Sequence, residues 1–266
     1  MVDFEFQDHY TFEDLVRIVR ILRHPGGCPW DAEQTHESLR RCLTEECCEV
    51  LEAIDRKDDA LLCEELGDVL LQVVFHSSIE EDAGRYDLDA VADGVCRKLI
   101  YRHPHVFGDV TVHSTGEILS NWEELKKKEK GQATQADAVD AVARSLPALW
   151  RAEKMKKKAA KAGFDWRDVS GALDKLSEEL DELKAAALSG EGDPVEELGD
   201  LLFAAVCVGR FLDADPEDAL HAACNKFSAR FRKTEALAAQ RGLSLDKLSD
   251  REQIALWREA KEQIEA

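Results

Sequence analysis

The chain has 266 residues, with 55 Asp and Glu against 35 Lys and Arg and a formal net charge of −20. That balance, with a pI near 4.8, offers no footprint for duplex DNA, long RNA or anionic lipid, each of which needs clustered Lys and Arg. The 44% hydrophobic content is that of an ordinary folded protein, and 6 Pro and 15 Gly in an Ala-, Glu- and Lys-rich chain favour helices over a turn-rich β fold.

Met1 to Tyr10 has no apolar signal-peptide core. The longest apolar runs, 201–209 and 69–71, fall far short of the ~20 residues a membrane span needs. The eight Cys form no Cys-x-x-Cys pair, so free thiols in a reducing cytoplasm are expected.

In chain order, Phe12, Leu15, Val16, Val19 and Leu22 give one apolar helix face that ends at His24-Pro25-Gly26-Gly27. A loop over Cys28-Pro29-Trp30-Asp31 follows, then a helix from about Glu37 to Ile54. Asp58 and Asp59 are placed to cap a helix from about Ala60 to Glu81. Another helix covers about Leu88 to Tyr101, and His103-Pro104-His105 interrupts the pattern. Asn121 to Lys130 reads as a charged helix. The polar stretch that begins at Gly131 divides the chain into 1–130, a linker at 131–143, and 144–266.

The second part repeats the first. Glu64-Glu65-Leu66-Gly67-Asp68-Val69-Leu70-Leu71 returns as Glu196-Glu197-Leu198-Gly199-Asp200-Leu201-Leu202-Phe203. Glu45-Glu46-x-x-Glu49 returns as Glu178-Glu179-x-x-Glu182. Pro29-Trp30-Asp31 has a looser echo in Phe164-Asp165-Trp166, and Lys98-x-x-x-Arg102 in Lys226-x-x-x-Arg230. Four features in one order point to an all-α chain built from two related helical modules in tandem.

Positions i and i+3 share a helix face. Glu46 with Glu49, Glu65 with Asp68, Glu179 with Glu182, and Glu197 with Asp200 therefore each project together. If the paired helices face each other, four carboxylates converge in each module and repel unless cations neutralise them. Oxygen-only donors suit Mg²⁺ first and Mn²⁺ second. A helical Gly costs about 1 kcal/mol relative to Ala, so Gly67 and Gly199, each directly before the Asp, suggest close approach of a helix or a phosphate, or tight packing. Lys226 and Arg230 share a face able to hold phosphates, or form a solvated pair. Trp30, Trp166 and Trp257 are candidate stacking platforms for a base, or core residues. The run Lys154, Lys156, Lys157, Lys158, Lys161 reads as a solvated helix face or a phosphate-facing strip.

Together these residues resemble a known family. Gly27-Cys28-Pro29-Trp30-Asp31, Glu45-Glu46-x-x-Glu49, Glu65-Leu-Gly-Asp68 and Arg102-His-Pro-His-Val-Phe107 are similar to the N-terminal half of MazG. Ser145-Leu-Pro-Ala-Leu149, Gly163-Phe-Asp-Trp166, Glu178-Glu179-x-x-Glu182, Glu197-Leu-Gly-Asp200 and Asn225-Lys226-Phe227 are similar to its C-terminal half. The resemblance implies an all-α, Mg²⁺-dependent, homodimeric nucleoside triphosphate pyrophosphohydrolase acting on NTPs, including dNTPs. It implies metal binding by Glu179, Glu182, Glu197 and Asp200, with Glu46, Glu49, Glu65 and Asp68 as their N-terminal counterparts. It places Lys226 and Arg230 on the triphosphate, Trp257 near the nucleotide, and catalysis in the C-terminal module. Lys175, Trp166, Trp30, Lys98 and Arg102 complete the candidate substrate contacts. A metal-polarised water would attack the α-phosphorus, with Glu178 or Glu45 orienting it beside Glu179 or Glu46. The alternatives are a non-catalytic helical interaction module and a single-nucleotide all-α enzyme, such as a dUTP or phosphoribosyl-ATP pyrophosphohydrolase. A di-iron bundle is poorly supported, because only Glu33-x-x-His36 has its ligand spacing.

Overall fold

The computed structural model describes residues 4–129, 131 and 134–265, and every regular element among the described residues is helical. The chain forms two compact units, Met1–Lys126 and Lys127–Ala266. The first contains α1 (Phe12–Arg23), α2 (Pro29–Ala32), α3 (His36–Arg56), α4 (Asp59–Asp82), α5 (Leu88–Arg102), α6 (Pro104–Phe107) and most of α7 (Thr115–Glu129). The second contains α8 (Gln135–Asp140), α9 (Ala148–Ala160), α10 (Val169–Ser189), α11 (Pro194–Phe211), α12 (Pro216–Gln240), a 3-10 turn (Leu245–Lys247) and α13 (Asp250–Glu265). None of these helices is long and apolar enough to cross a membrane.

Four boundaries differ from the sequence pattern, each for a local reason. Pro29 and Pro104 stand at the first positions of the short helices α2 and α6, where the fixed φ of proline favours a helix start. The charged helix begins at Thr115 rather than 121, and Lys130, its expected end, lies outside the described residues. The stretch read as a linker carries α8, opened by a Thr134–Asp137 capping box and anchored by the buried Ala138. Gln132 and Ala133 lie outside the described residues.

Each unit is organised around a helical hairpin. In the first, α3 ends in a left-handed Lys57 (φ 54°), and Asp58 caps α4 by accepting from the Ala60 and Leu61 amides. So short a connection makes the two helices antiparallel neighbours. In the second, α10 ends at Gly190 (φ 73°), and Asp193 caps α11 with Pro194 at its start. These hairpins are the most extensive helix–helix contacts in the chain. Their apolar support is modest. In the first unit Val19, Leu39, Val74 and Phe75 form the buried cluster where α1 and α3 meet α4. In the second, Leu237, Ala238, Leu256 and Ala260 join α12 to α13.

A polar network also ties α3 to α4. His36 Nδ1 and His76 Nδ1 lie 2.7 Å apart, and His36 Nε2 lies 2.5 Å from Glu80 Oε1. Arg85 donates to both Glu80 oxygens at 2.6 Å. Nearby, α1 is held to the end of α4 by Arg20 on Glu81 and Arg23 on Asp82, with His24 also facing Asp82. The Arg85 and His36 bonds hold the Glu80 carboxyl down to about 2, so it stays ionised and takes the His36 Nε2–H. A neutral pair then has His76 Nδ1–H donating to His36 Nδ1, which leaves the buried His76 Nε2 without a partner. A further proton on His76 would go to that buried Nε2, where no acceptor meets it. Burial, with His36 opposite, accordingly pushes His76 below its usual 6.5. A depressed histidine stabilises the fold while neutral, and that contribution is lost as pH falls through 6.5, where the unfolded chain begins to take the proton. Glu80 keeps its contribution until pH drops below 4.5. The melting temperature should therefore fall between about pH 7 and about pH 5, and His76→Leu should flatten that slope. Thermal melts across this range check it, and an unaltered slope in the variant would contradict the assignment.

Candidate active site

The second hairpin gathers the C-terminal acids. Glu179 on α10 and Glu197 and Asp200 on α11 each offer an oxygen within 4.8 Å of the others. Glu179 is buried. Glu182, one turn further along α10, sits beside Glu179 and feels Glu197. Loss of hydration and these acids push its carboxyl upward, while Lys175 acts in the opposite direction. Lys175 Nζ bridges Glu178 and Glu179 at 2.7 Å each. Those two carboxylates raise the lysine above its usual value, so it is a fixed cation.

The first hairpin repeats the cluster without the lysine. Glu46, Glu49 and Glu65 offer oxygens within 4.8 Å of one another. Asp68 adds its charge from one turn along α4. Glu46 and Glu65 are both raised, first by loss of hydration and then by the surrounding acids. Aligning Glu45-Glu46-x-x-Glu49 with Glu178-Glu179-x-x-Glu182 sets Cys42 opposite Lys175. The nearby Arg41 pairs with Glu45 at 2.7 Å. The donors of both clusters fit a hard divalent cation: all are carboxylate oxygens, held within 4.8 Å of one another in each cluster.

Beside the C-terminal cluster lies a cavity of about 330 Å³. Lys175, Glu179 and Asp200 form one end, and Phe164, Trp166 and Phe203 line its apolar body. Trp166 is held edge-on to α10, since a Cβ on Gly171 would meet its Cδ1 at 2.8 Å. Its ring face is covered by Lys156 Nζ, 4.1 Å from the centroid. The expectation of Lys156 in a solvated or phosphate-facing strip is corrected here: its residue exposure is 6%. It donates to the Phe164 carbonyl at 3.1 Å and lies 3.5 Å from Asp165 Oδ1. Asp165 also receives Arg210. Lysine spacing alone could not reveal this, because burial follows from how the loop at 161–168 folds over α9.

The remaining candidates stand elsewhere. Trp257 packs on Phe227 (centroids 5.2 Å apart) in a separate cavity of about 370 Å³ between α12 and α13. Arg230 pairs with Glu265, and Lys226 is exposed on the same helix. Trp30 is exposed on α2. Arg102 is buried, with its guanidinium over the Trp122 ring, while Lys98 one turn earlier is exposed. An added Cβ at Gly67 or Gly199 meets nothing within 4 Å, so no close packing within the chain requires either glycine.

A family model described as the MazG nucleotide pyrophosphohydrolase domain matches residues 34–107, which span the first hairpin. A nucleoside triphosphate pyrophosphohydrolase/pyrophosphatase MazG from Thermotoga maritima is 46% identical over 250 residues, covering 94% of this chain and 95% of the relative. A nucleoside triphosphate pyrophosphohydrolase from Escherichia coli K12 is 42% identical over 253 residues, covering 94% and 96%. The chain belongs to the MazG family. A further MazG relative in this sense, the uncharacterized YabN of Bacillus subtilis, is 46% identical over 96% of this chain, which spans 52% of that protein. Both acidic hairpins thus lie within the stretch shared with the full-length MazG relatives.

Because each cluster repels itself, a divalent cation should stabilise the fold by mass action. Mg²⁺ should raise the melting temperature. Glu65→Gln and Glu197→Gln should each raise the metal-free value and shrink the Mg²⁺-dependent gain. Thermal melts over a Mg²⁺ titration test this; variants with the full wild-type gain would argue against cation binding at these acids.

Proposed function

We propose that this chain is a Mg²⁺-dependent nucleoside triphosphate pyrophosphohydrolase, with Mn²⁺ as a substitute, converting an NTP or dNTP to the monophosphate and pyrophosphate. The observation that carries the reading is the carboxylate cluster of Glu179, Glu197 and Asp200, which opens with Lys175 onto a nucleoside-sized cavity. The names of the full-length relatives support it. A purely structural or interaction module has no use for such a pairing of acid cluster and cavity.

Glu179, Glu182, Glu197 and Asp200 would hold the metal. Bound Mg²⁺ would offset phosphate charge and polarise the attacking water. Glu178, tethered through Lys175 to Glu179, is placed to orient that water and take its proton. The water oxygen bonds to the α-phosphorus as the bond to the β-phosphate bridging oxygen breaks, and pyrophosphate departs. Lys175 would meet phosphate oxygens on the substrate's arrival, and the base would enter the cavity along Trp166 and Phe203.

Catalysis is assigned to the second unit. The first-unit cluster has the acids to bind a cation but Cys42 where Lys175 stands, so Glu45 is held by Arg41 rather than by a lysine shared with Glu46. Lys226, Arg230 and Trp257 lie outside the lining of this cavity, so their expected contact with the triphosphate would have to come from a second copy of the chain. A homodimer is supported by exposed apolar rows that one chain leaves uncovered: Leu66, Leu70 and Val73 on α4, and Leu198 and Leu202 on α11. Gly67 and Gly199 flank these rows, each next in sequence to a row leucine, and the space over them is open. Eight unpaired cysteines suit a reducing compartment, the cytoplasm.

Glu197→Ala with Asp200→Ala should abolish pyrophosphate release with Mg²⁺ and any NTP, while Glu65→Ala with Asp68→Ala should retain it. Glu178→Gln should lose turnover yet keep its stabilisation by Mg²⁺. Product analysis by phosphorus NMR checks all three, and release of orthophosphate alone from the wild type would refute the scheme. Leu198→Glu with Leu202→Glu should give a monomer of roughly half the mass by light scattering, with little activity. An active monomer would contradict the shared site.

A further inference from the structure

The cavity beside the acids has two chemically different ends. Four α11 residues line its wall in order: Asp200, Phe203, Ala204 and Cys207. At 1.5 Å per residue, Asp200 and Cys207 are about 10 Å apart along the helix. Lys175 and Glu179 mark the Asp200 end. Lys156 belongs to the Cys207 end, where the buried thiol feels the charges of Lys156, Asp165 and Arg210. The apolar body therefore has a buried ammonium at its far end, and the other charged residues lining the cavity are Lys175, Glu179 and Asp200.

That ammonium is oriented but not saturated by strong acceptors. One N–H goes to the Phe164 carbonyl at 3.1 Å, and Asp165 Oδ1 lies at a longer 3.5 Å while also receiving Arg210. The remaining contacts are the faces of Trp166 and Phe164, 4.1 and 5.1 Å from Nζ. Lysine carries donors only, so this end of the cavity favours an acceptor.

The inference rests on the proposed reading of the cavity as the nucleoside site. With the triphosphate anchored at the acids, the base edge farthest from the sugar goes deepest. There guanine presents O6 and uracil and thymine O4, all acceptors, whereas adenine and cytosine present N6 and N4 amino donors. We propose that Lys156 is a specificity-determining residue that reads the exocyclic group of the base, making the site selective for oxo-bearing over amino-bearing nucleotides. The Phe164 carbonyl and Asp165 fix the ammonium, and the Trp166 face guides the base plane towards it.

The test is kcat/KM for pyrophosphate release from GTP, UTP, ATP and CTP, in the full-length wild type, Lys156→Met and Lys156→Arg. The wild type should favour GTP over ATP and UTP over CTP by about tenfold or more, the value of one hydrogen bond to a charged donor. Lys156→Met removes the donor but keeps an unbranched apolar chain. It should bring both ratios to within about twofold of unity. Lys156→Arg keeps a donor and should keep the direction of preference. A wild type without the oxo preference overturns the proposal, as does a Lys156→Met variant that loses activity equally on all four nucleotides, which is the mark of a merely structural clamp. A wild type releasing no pyrophosphate from any of the four is a different outcome, which refutes the underlying hydrolase reading and this proposal with it. If Lys156→Met fails to fold by circular dichroism, the wild-type ratios and Lys156→Arg still decide the matter.

Discussion

Carboxylates forced together on packed helices are the constraint around which both units are arranged. Glu46, Glu49 and Glu65 converge in the first hairpin, and Glu179, Glu197 and Asp200 in the second. Convergence costs free energy, because like charges held close together repel while burial removes hydration. The helices stay paired because their caps and apolar contacts hold them. Asp58 and Asp193 fix the start of the second helix of each hairpin, and left-handed Lys57 and Gly190 end the first. A hairpin so built holds acids at a spacing they would not choose alone, and that pre-organises them for a cation.

The two hairpins resolve the repulsion differently. In the second unit Lys175 supplies an internal cation, one turn before Glu179 and bonded to both Glu178 and Glu179. In the first unit Cys42 stands at that position, and Glu46 and Glu65 are raised by loss of hydration and by the acids around them, Glu49 and Asp68 among them. Among the described residues the same fold therefore carries an acidic cluster twice, with a lysine-bridged acid pair beside a cavity in the second unit. The first unit instead invests its polar contacts at the opposite end of α4, where His36, His76, Glu80 and Arg85 interlock.

Much of the candidate site was legible because helix periodicity turns spacing into direction. An i, i+3 pair of acids repeated in two neighbouring segments predicts convergence without coordinates. Helix ends were legible too wherever a capping residue signalled them, as at Asp58. The Thr134-x-x-Asp137 box shows that a signal can be present and go unused, since it opens a helix inside the stretch read as a linker. The cavity was not legible. Lys156 sits in a run of lysines that reads as a solvated face, yet it is buried under Phe164 and Trp166. Its position depends on a loop fold and on Arg210, 45 residues away from Asp165 in sequence.

The opening excess of negative charge now has partial assignments. Eight of the 55 acids form the two clusters and their flanks. Others are N-caps: Asp87, Asp168 and Asp215 accept from the first free amides of α5, α10 and α12. The sequence by itself determined the all-α class, the repeated acidic motif and the identities of the clustered acids, because each follows from composition or from the 3.6-residue period. Tertiary structure alone decided which of the basic and aromatic candidates stand beside the acids. Lys175 and Trp166 do; Arg230 and Trp257 occupy other surfaces of the same chain. The reason is geometric: a helix period places residues on a face, but only the packing of separate helices and the path of their loops decides what that face meets.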